Sequence, residues 1–187
     1  MVDMKVKYIK EVMPAMQKKF GYSSVMAIPR IEKVVVNTGF GRLLSAKTGD
    51  DHRKTLARIT TDMAAFTGQL ATITKAKHSI AGFKLREGSP VGAKVTLRRK
   101  RMYDFLDRLV HIMLPRSRDF RGLKDSAIDQ NGNLMIGIQE HIFFPEISPE
   151  RAKDIIGLEV TITTTASTKE EGLKLLRALG FPFKKES

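Results

Sequence analysis

The chain contains no cysteine. That excludes disulfides, thiolate zinc centres and cysteine nucleophiles, and it is compatible with a reducing compartment. No apolar run approaches the roughly 20 residues that a membrane helix needs. The first residues carry Asp3 and Glu11 among lysines and no apolar stretch, which is the character of neither a secretory signal nor an organelle transit peptide. A cytoplasmic location and no membrane partner are therefore expected. Acids are almost missing from one stretch. Between Lys75 and Arg101 there are nine Lys or Arg and a single acid, Glu87.

What is present is positive charge, unevenly spread. Of the net +13, residues 1–74 carry +6, 75–101 carry +8, 102–123 carry +1 and 124–187 carry −2. A hydrophobic fraction of 42% separates this chain from a disordered basic tail. Its 187 residues predict one domain with a substantial core. A polyanion is the natural partner of the basic stretch, and nucleic acid is the commonest one.

Periodicity predicts a helix over 3–19 with Ile9, Val12, Met13, Met16 and Phe20 on one stripe, kinked at Pro14 and ended by Gly21. A strand follows at 31–38, then a helix at 50–66 with Leu56, Ile59, Met63 and Phe66 inside. Strands are expected at 71–76 and 91–98, and a strong helix from Met102 to Met113, closed by Pro115. Residues 115–133 lack periodicity and read as an extended loop, of a length that usually goes with function. Strands at 134–143 and 158–166 come next, with Ser148-Pro149 opening a short helix between them. Thr168 and Glu171 form a capping box at the head of a last helix, with Leu173, Leu176 and Leu179 inside, stopped by Gly180 and Pro182. The order α-β-α-β-β-α-β-β-α contains the split β-α-β-β-α-β pattern of ferredoxin-like domains. The expected fold class is α+β, a single mixed, mostly antiparallel sheet with helices on one face, plus an N-terminal helix and extended loops.

Strand alternation assigns the faces. In 91–98, Ala93, Val95 and Leu97 point toward the helices, so Lys94, Thr96 and Arg98 face out. In 71–76, Ile73 points in, so Thr72 and Thr74 face out. In 31–38 the two faces carry Lys33, Val35 and Asn37 or Val34, Val36 and Thr38, and the pattern alone does not choose. The open face holds hydroxyls, an amide and cations, without aromatics. A base-stacking sheet needs Phe or Tyr on its middle strands. Thr, Asn and Lys suit phosphates and 2′-OH groups of a structured RNA.

No active site emerges. Gly41 to Thr48 is one residue from a phosphate-binding loop, with Ala46 where glycine is required. Asp50 and Asp51 follow at once, where phosphate oxygens would lie. His52, His78, His111 and His141 show no metal spacing, and Glu140 and His141, adjacent on a strand, would face opposite ways. Asp104 and Asp107 neighbour Arg101 and Arg108 on a solvated helix face. No catalytic residue, metal, cofactor or small-molecule substrate is expected. From composition, a general RNA chaperone, an RNA-processing enzyme and a non-nucleic-acid adaptor remain open beside a specific RNA-binding protein.

Four segments narrow this: 73–109 (ITKAKHSIAGFKLREGSPVGAKVTLRRKRMYDFLDRL), 114–123 (LPRSRDFRGL), 137–147 (GIQEHIFFPEI) and 28–41 (IPRIEKVVVNTGFG). Together, and in order along nearly the whole chain, they resemble the bacterial large-subunit ribosomal protein L5 family, the 5S-rRNA-binding ribosomal proteins. The resemblance implies a structural constituent of the central protuberance that binds 5S rRNA and large-subunit rRNA among neighbouring large-subunit proteins. By matching motif positions it implies RNA contacts at Asn37, Gln69, Thr72, Thr74 and Thr96, and the same face carries Lys33, Lys94 and Arg98. It implies that the basic loop 77–89, with Lys77, Ser79, Lys84 and Arg86, reaches toward peptidyl-site tRNA. It implies a bridge to a small-subunit head protein around Arg116, Arg118 and Arg121. The chain departs from the family pattern in a longer segment at 42–55, in His78 where Lys is usual, and in Leu70-Ala71 where Lys-Pro is usual.

Overall fold

The computed structural model describes residues 4–45, 47, 49–83, 85–118, 120–148 and 154–184. In chain order the elements are α1 (Met4–Lys7), α2 (Met13–Phe20), β1 (Ile31–Gly39), α3 (Gly41–Ser45), α4 (Gly49–Thr67), β2 (Thr72–Lys75), β3 (Pro90–Leu97), α5 (Arg99–Arg108), α6 (Leu114–Arg116), β4 (Leu134–Ile138), β5 (Leu158–Thr164) and α7 (Lys169–Leu179). The fold is α+β, with five strands in one sheet of order β2-β3-β1-β5-β4. The split pattern is completed by β5, which lies beside β1, while β4 is added outside it.

Each of β1, β3, β4 and β5 buries one side. Val34, Val36 and Thr38, then Ala93, Val95 and Leu97, then Leu134, Ile136 and Ile138, then Leu158, Val160, Ile162 and Thr164 are buried, and the residues alternating with them, from Val35 on in β1 and apart from Gly92 in β3, are half-buried or exposed. This settles the open choice in β1: Lys33, Val35 and Asn37 lie on the barer side. Ile73, expected to point inward, is 37% exposed on β2, the edge strand.

Prolines set the shape of two helical runs. Between α1 and α2 the chain makes a π turn, Tyr8–Val12, in which Met13 N–H donates to Tyr8 O five residues back. Pro14 offers no N–H to the preceding turn, and a wide turn just upstream absorbs the mismatch. The wide turn advances the phase, so the buried stripe is Met4, Tyr8, Val12 and Met16. The expected stripe is corrected accordingly: Ile9 is 53% exposed, and Met13 and Phe20 are half-buried. The same arrangement recurs before Pro115, where a π turn at Leu109–Met113 joins α5 to α6. The helical run therefore ends at Arg116, one residue past the proline expected to close it.

Two compact units are distinguishable among the described residues. The first comprises those up to 34, 97–136 and from 161 onward, and the second 35–96 and 137–160. In the first, α1 packs on α5, and the π turn after it packs on α7. Lys7 Nζ donates to Leu179 O at 3.2 Å and the Tyr22 hydroxyl to Glu171 Oε1 at 2.6 Å. The capping box expected at Thr168 and Glu171 is present, and Gly180 closes α7 in the left-handed conformation. Leu176 and Leu179 are buried as expected and Leu173 is half-buried, while Leu175 joins the core. Segment 115–133 is tied down: Leu123 N–H donates to Pro182 O at 2.7 Å, Lys184 N–H to Leu123 O at 2.9 Å, and Arg177 pairs with Asp125 at 2.9 Å.

In the second unit, Ile59, Met63 and Phe66 of α4 are buried and Leu56 is half-buried. Phe66 stacks on Phe144 with ring centroids 4.4 Å apart. The strand expected over 134–143 ends at Ile138, and a 3-10 turn follows at His141–Phe143. The turn carries His141 fully into the core, where its Nδ1 accepts Ile156 N–H at 3.4 Å. The long segment 42–55 forms α3 and the start of α4. Lys47 Nζ lies 2.8 Å from both Asp154 oxygens and 3.0 Å from Thr55 Oγ1, and Arg58 reaches Asp154 at 3.2 Å. The lysine of the near-miss phosphate loop is thus held in an ion pair. The short helix expected at Ser148-Pro149 falls largely on residues 149–153, outside those described.

Candidate nucleic-acid interface

The hairpin β2–β3 sets the centre of the interface. Its antiparallel register pairs Thr72 with Lys94, Ile73 with Ala93 and Thr74 with Gly92. Opposed residues share a face, so Thr72, Thr74 and Lys94 stand together, and Thr96 continues the row two residues along β3. Gly92 is required there: a Cβ would lie 2.6 Å from Thr38 O and 2.8 Å from Thr74 Oγ1. The bare backbone at 92 lets the Thr74 hydroxyl sit flat over β3.

Gln69 is placed by the end of α4. Gly68 adopts φ 70° and donates to Ala64 O, turning the chain, while Thr67 Oγ1 accepts Gln69 N–H at 3.3 Å. Gln69 Nε2 then reaches Thr96 O at 3.4 Å. The second unit therefore gathers Asn37, Gln69, Thr72, Thr74, Lys94 and Thr96. Asn37, Thr72 and Lys94 are exposed, and the other three are half-buried. No aromatic residue stands among them. Hydroxyls and amides on a rigid sheet can give and accept hydrogen bonds, and the cation can neutralise phosphate.

Lys33 and Arg98 belong to the first unit, half-buried and exposed respectively. Arg98 precedes α5, and Arg99 takes the left-handed φ of 53°. Arg98 to Arg101 crowd four exposed cations onto the N-terminus of α5. The helix dipole disfavours cations there and favours an anion, so the local arrangement invites phosphate.

The basic loop 77–89 is an extension of the same hairpin. Ala76 exchanges backbone hydrogen bonds with Ser89 and Gly88, Ile80 with Leu85, and Glu87 N–H donates to Ser79 Oγ at 2.9 Å. Lys77 and Arg86 are exposed, as is Ser79, while Lys84 lies outside the described residues. The tip presents Phe83, 76% exposed, an aromatic that alternation along the strands did not flag because it sits in a 3-10 turn. Arg116, Arg118 and Arg121 are exposed in the first unit on the segment tied to 182–184.

Sequence reasoning missed a shallow depression of about 440 Å³ in the second unit. It is lined by the ends of β1, β4 and β5, including Asn37, Gln139 and Glu159. The available signal was a glycine in each of three strand-end segments, at 39, 137 and 157.

Among the described residues, no cluster of His, Cys, Asp or Glu could hold a metal ion, and no helix is long and apolar enough to cross a membrane. Comparison with known families gives two matches. Residues 24–86 match the family model of Ribosomal protein L5, and residues 90–183 match the model of the same ribosomal family's C-terminus.

Proposed function

Since the chain belongs to the ribosomal protein L5 family, a family of structural, rRNA-binding proteins of the large ribosomal subunit, we propose that its bare sheet face binds 5S rRNA. The observation that carries this reading is the row Thr72, Thr74, Lys94 and Thr96 with Asn37 and Gln69, polar and free of aromatics. Such a face reads the shape, phosphates and 2′-OH groups of folded RNA rather than stacking its bases. The cations Lys33, Lys94 and Arg98 supply counterion release, and the hydroxyls and amides fix orientation.

The remaining roles extend the same reading. The hairpin 77–89 contacts peptidyl-site tRNA through Lys77, Ser79, Lys84 and Arg86. The segment bearing Arg116, Arg118 and Arg121 bridges to a protein of the small-subunit head. Large-subunit rRNA and neighbouring large-subunit proteins complete the surroundings. The role is architectural and requires no cofactor.

Binding to 5S rRNA and to a scrambled RNA of equal length, across a salt series, tests the central claim. Preference for 5S rRNA is expected to survive near-physiological salt. Asn37→Ala, Thr74→Ala and Thr96→Ala are each expected to weaken it about two- to tenfold, the worth of one net hydrogen bond. Equal binding of both RNAs that disappears with salt would favour a general RNA chaperone instead.

A further inference from the structure

We infer that the depression at the ends of β1, β4 and β5 is a recognition pocket for an unpaired guanine of the bound RNA, with Glu159 accepting from the base. This rests on the RNA-binding reading above and names a site that reading did not contain.

Along the barer side of the second unit's strands stand Val35, Asn37, Thr72, Thr74, Lys94, Thr96 and one acid, Glu159. Glu159 is half-buried at the depression, and among the described residues no hydrogen bond or ion pair holds its carboxylate. A carboxylate repels phosphate, so this part of the face is unsuited to an RNA backbone. A carboxylate only accepts hydrogen bonds. In RNA the donors are the 2′-OH groups and the base edges; a 2′-OH offers one, whereas the N1–H and N2–H of guanine present two parallel donors that match two carboxylate oxygens, the geometry of other bidentate carboxylate pairs. In a duplex those donors are consumed by pairing, which makes the guest an unpaired base. The exposed amides of Asn37 and Gln139 line the same depression and can complete the recognition of O6, N7 or ribose.

The floor supports the same conclusion. Glycine weakens a strand, and a strand glycine calls for a reason. Gly92 has an internal one, because a Cβ there would collide with Thr38 O at 2.6 Å. Gly39 and Gly137 do not: a Cβ at either meets nothing within 4 Å, and neither residue has a left-handed φ. At Gly157 a Cβ would make ordinary contacts at 3.5 and 3.6 Å. The fold does not demand these glycines, and their bare backbone leaves room for a planar base to lie close. The volume of about 440 Å³ is in the range of small-ligand clefts.

Glu159→Gln separates this from simple electrostatics by sign. Removing a negative charge near RNA should tighten binding if the acid is incidental. If the acid accepts from guanine, 5S rRNA affinity falls fivefold or more, while thermal unfolding of the free protein is unchanged. Gly137→Val fills the floor without changing charge and is expected to weaken binding similarly. Kethoxal, which modifies unpaired guanines at N1 and N2, should show one guanine of 5S rRNA protected by the wild type and reactive with Glu159→Gln. Unchanged or tighter binding by Glu159→Gln, with no such guanine, overturns the pocket. If Thr74→Ala still weakens binding in that case, the RNA-face reading stands and only the pocket falls. If the wild type shows no preference for 5S rRNA, both fall.

Discussion

His141 shows what a single misjudged turn changes. On a strand it would alternate with Glu140 and carry no constraint. In the 3-10 turn it is fully buried, with Nδ1 accepting Ile156 N–H. The ring proton therefore sits on Nε2, which faces Asp62 Oδ2 at 3.6 Å, beyond hydrogen-bond range. Burial holds the imidazole pKa below its usual 6.5, outweighing the pull of the Asp62 charge, and burial raises the Asp62 carboxyl. A histidine with a depressed folded pKa binds fewer protons folded than unfolded. Its stabilising contribution is complete above about 6.5 and is lost as pH falls below that toward the folded value. Asp62 works oppositely, recovering stability as pH falls through its raised folded pKa toward 3.8. Histidine C–H chemical shifts followed against pH should show His141 titrating below 6.5. Asp62→Asn should depress it further. Titration of His141 at or above 6.5 would refute the buried neutral tautomer.

The hairpin 77–89 is held by backbone hydrogen bonds and by Ser79 Oγ, and neither Lys77 nor Arg86 lends a side chain to those bonds. Replacing Lys77, Lys84 and Arg86 together by Ala should leave the unfolding midpoint unchanged and 5S rRNA affinity within about twofold of wild type. Peptidyl-site tRNA binding by ribosomes carrying the variant should weaken. A large loss of affinity for isolated 5S rRNA would move the hairpin into the main RNA site. Such elements were largely legible in the sequence because apolar spacing, Gly21, Gly180 and the Thr168–Glu171 box are local signals. The failures were also local. Pro14 and Pro115 are accommodated by wide turns that shift helical phase, so Ile9 turned out while Tyr8 turned in. The apolar run after Ile138 serves a buried turn rather than a longer strand, and an apolar run by itself does not distinguish the two.

Charge and polar chemistry act on RNA in different ways, and the whole sheet separates them. Alternation found the row Thr72, Thr74, Lys94 and Thr96 because it lies along two strands of one hairpin. It did not find the depression, because that is made by strand ends brought together only by the order β1-β5-β4. With eight of the net thirteen charges in residues 75–101, the protein's grip on RNA should be steeply salt-dependent. Each cation that meets a phosphate contributes about 0.7–0.9 to the slope of log affinity against log salt. Lys94→Ala should therefore lower that slope by nearly one. Thr74→Val, which keeps the shape and the charge but removes the hydroxyl, should leave the slope unchanged and lower affinity equally at every salt concentration. Parallel titrations of the two variants against 5S rRNA make the comparison. A slope unchanged by Lys94→Ala would mean that Lys94 meets no phosphate, and Lys33 and Arg98 would be the next cations to test by the same titration.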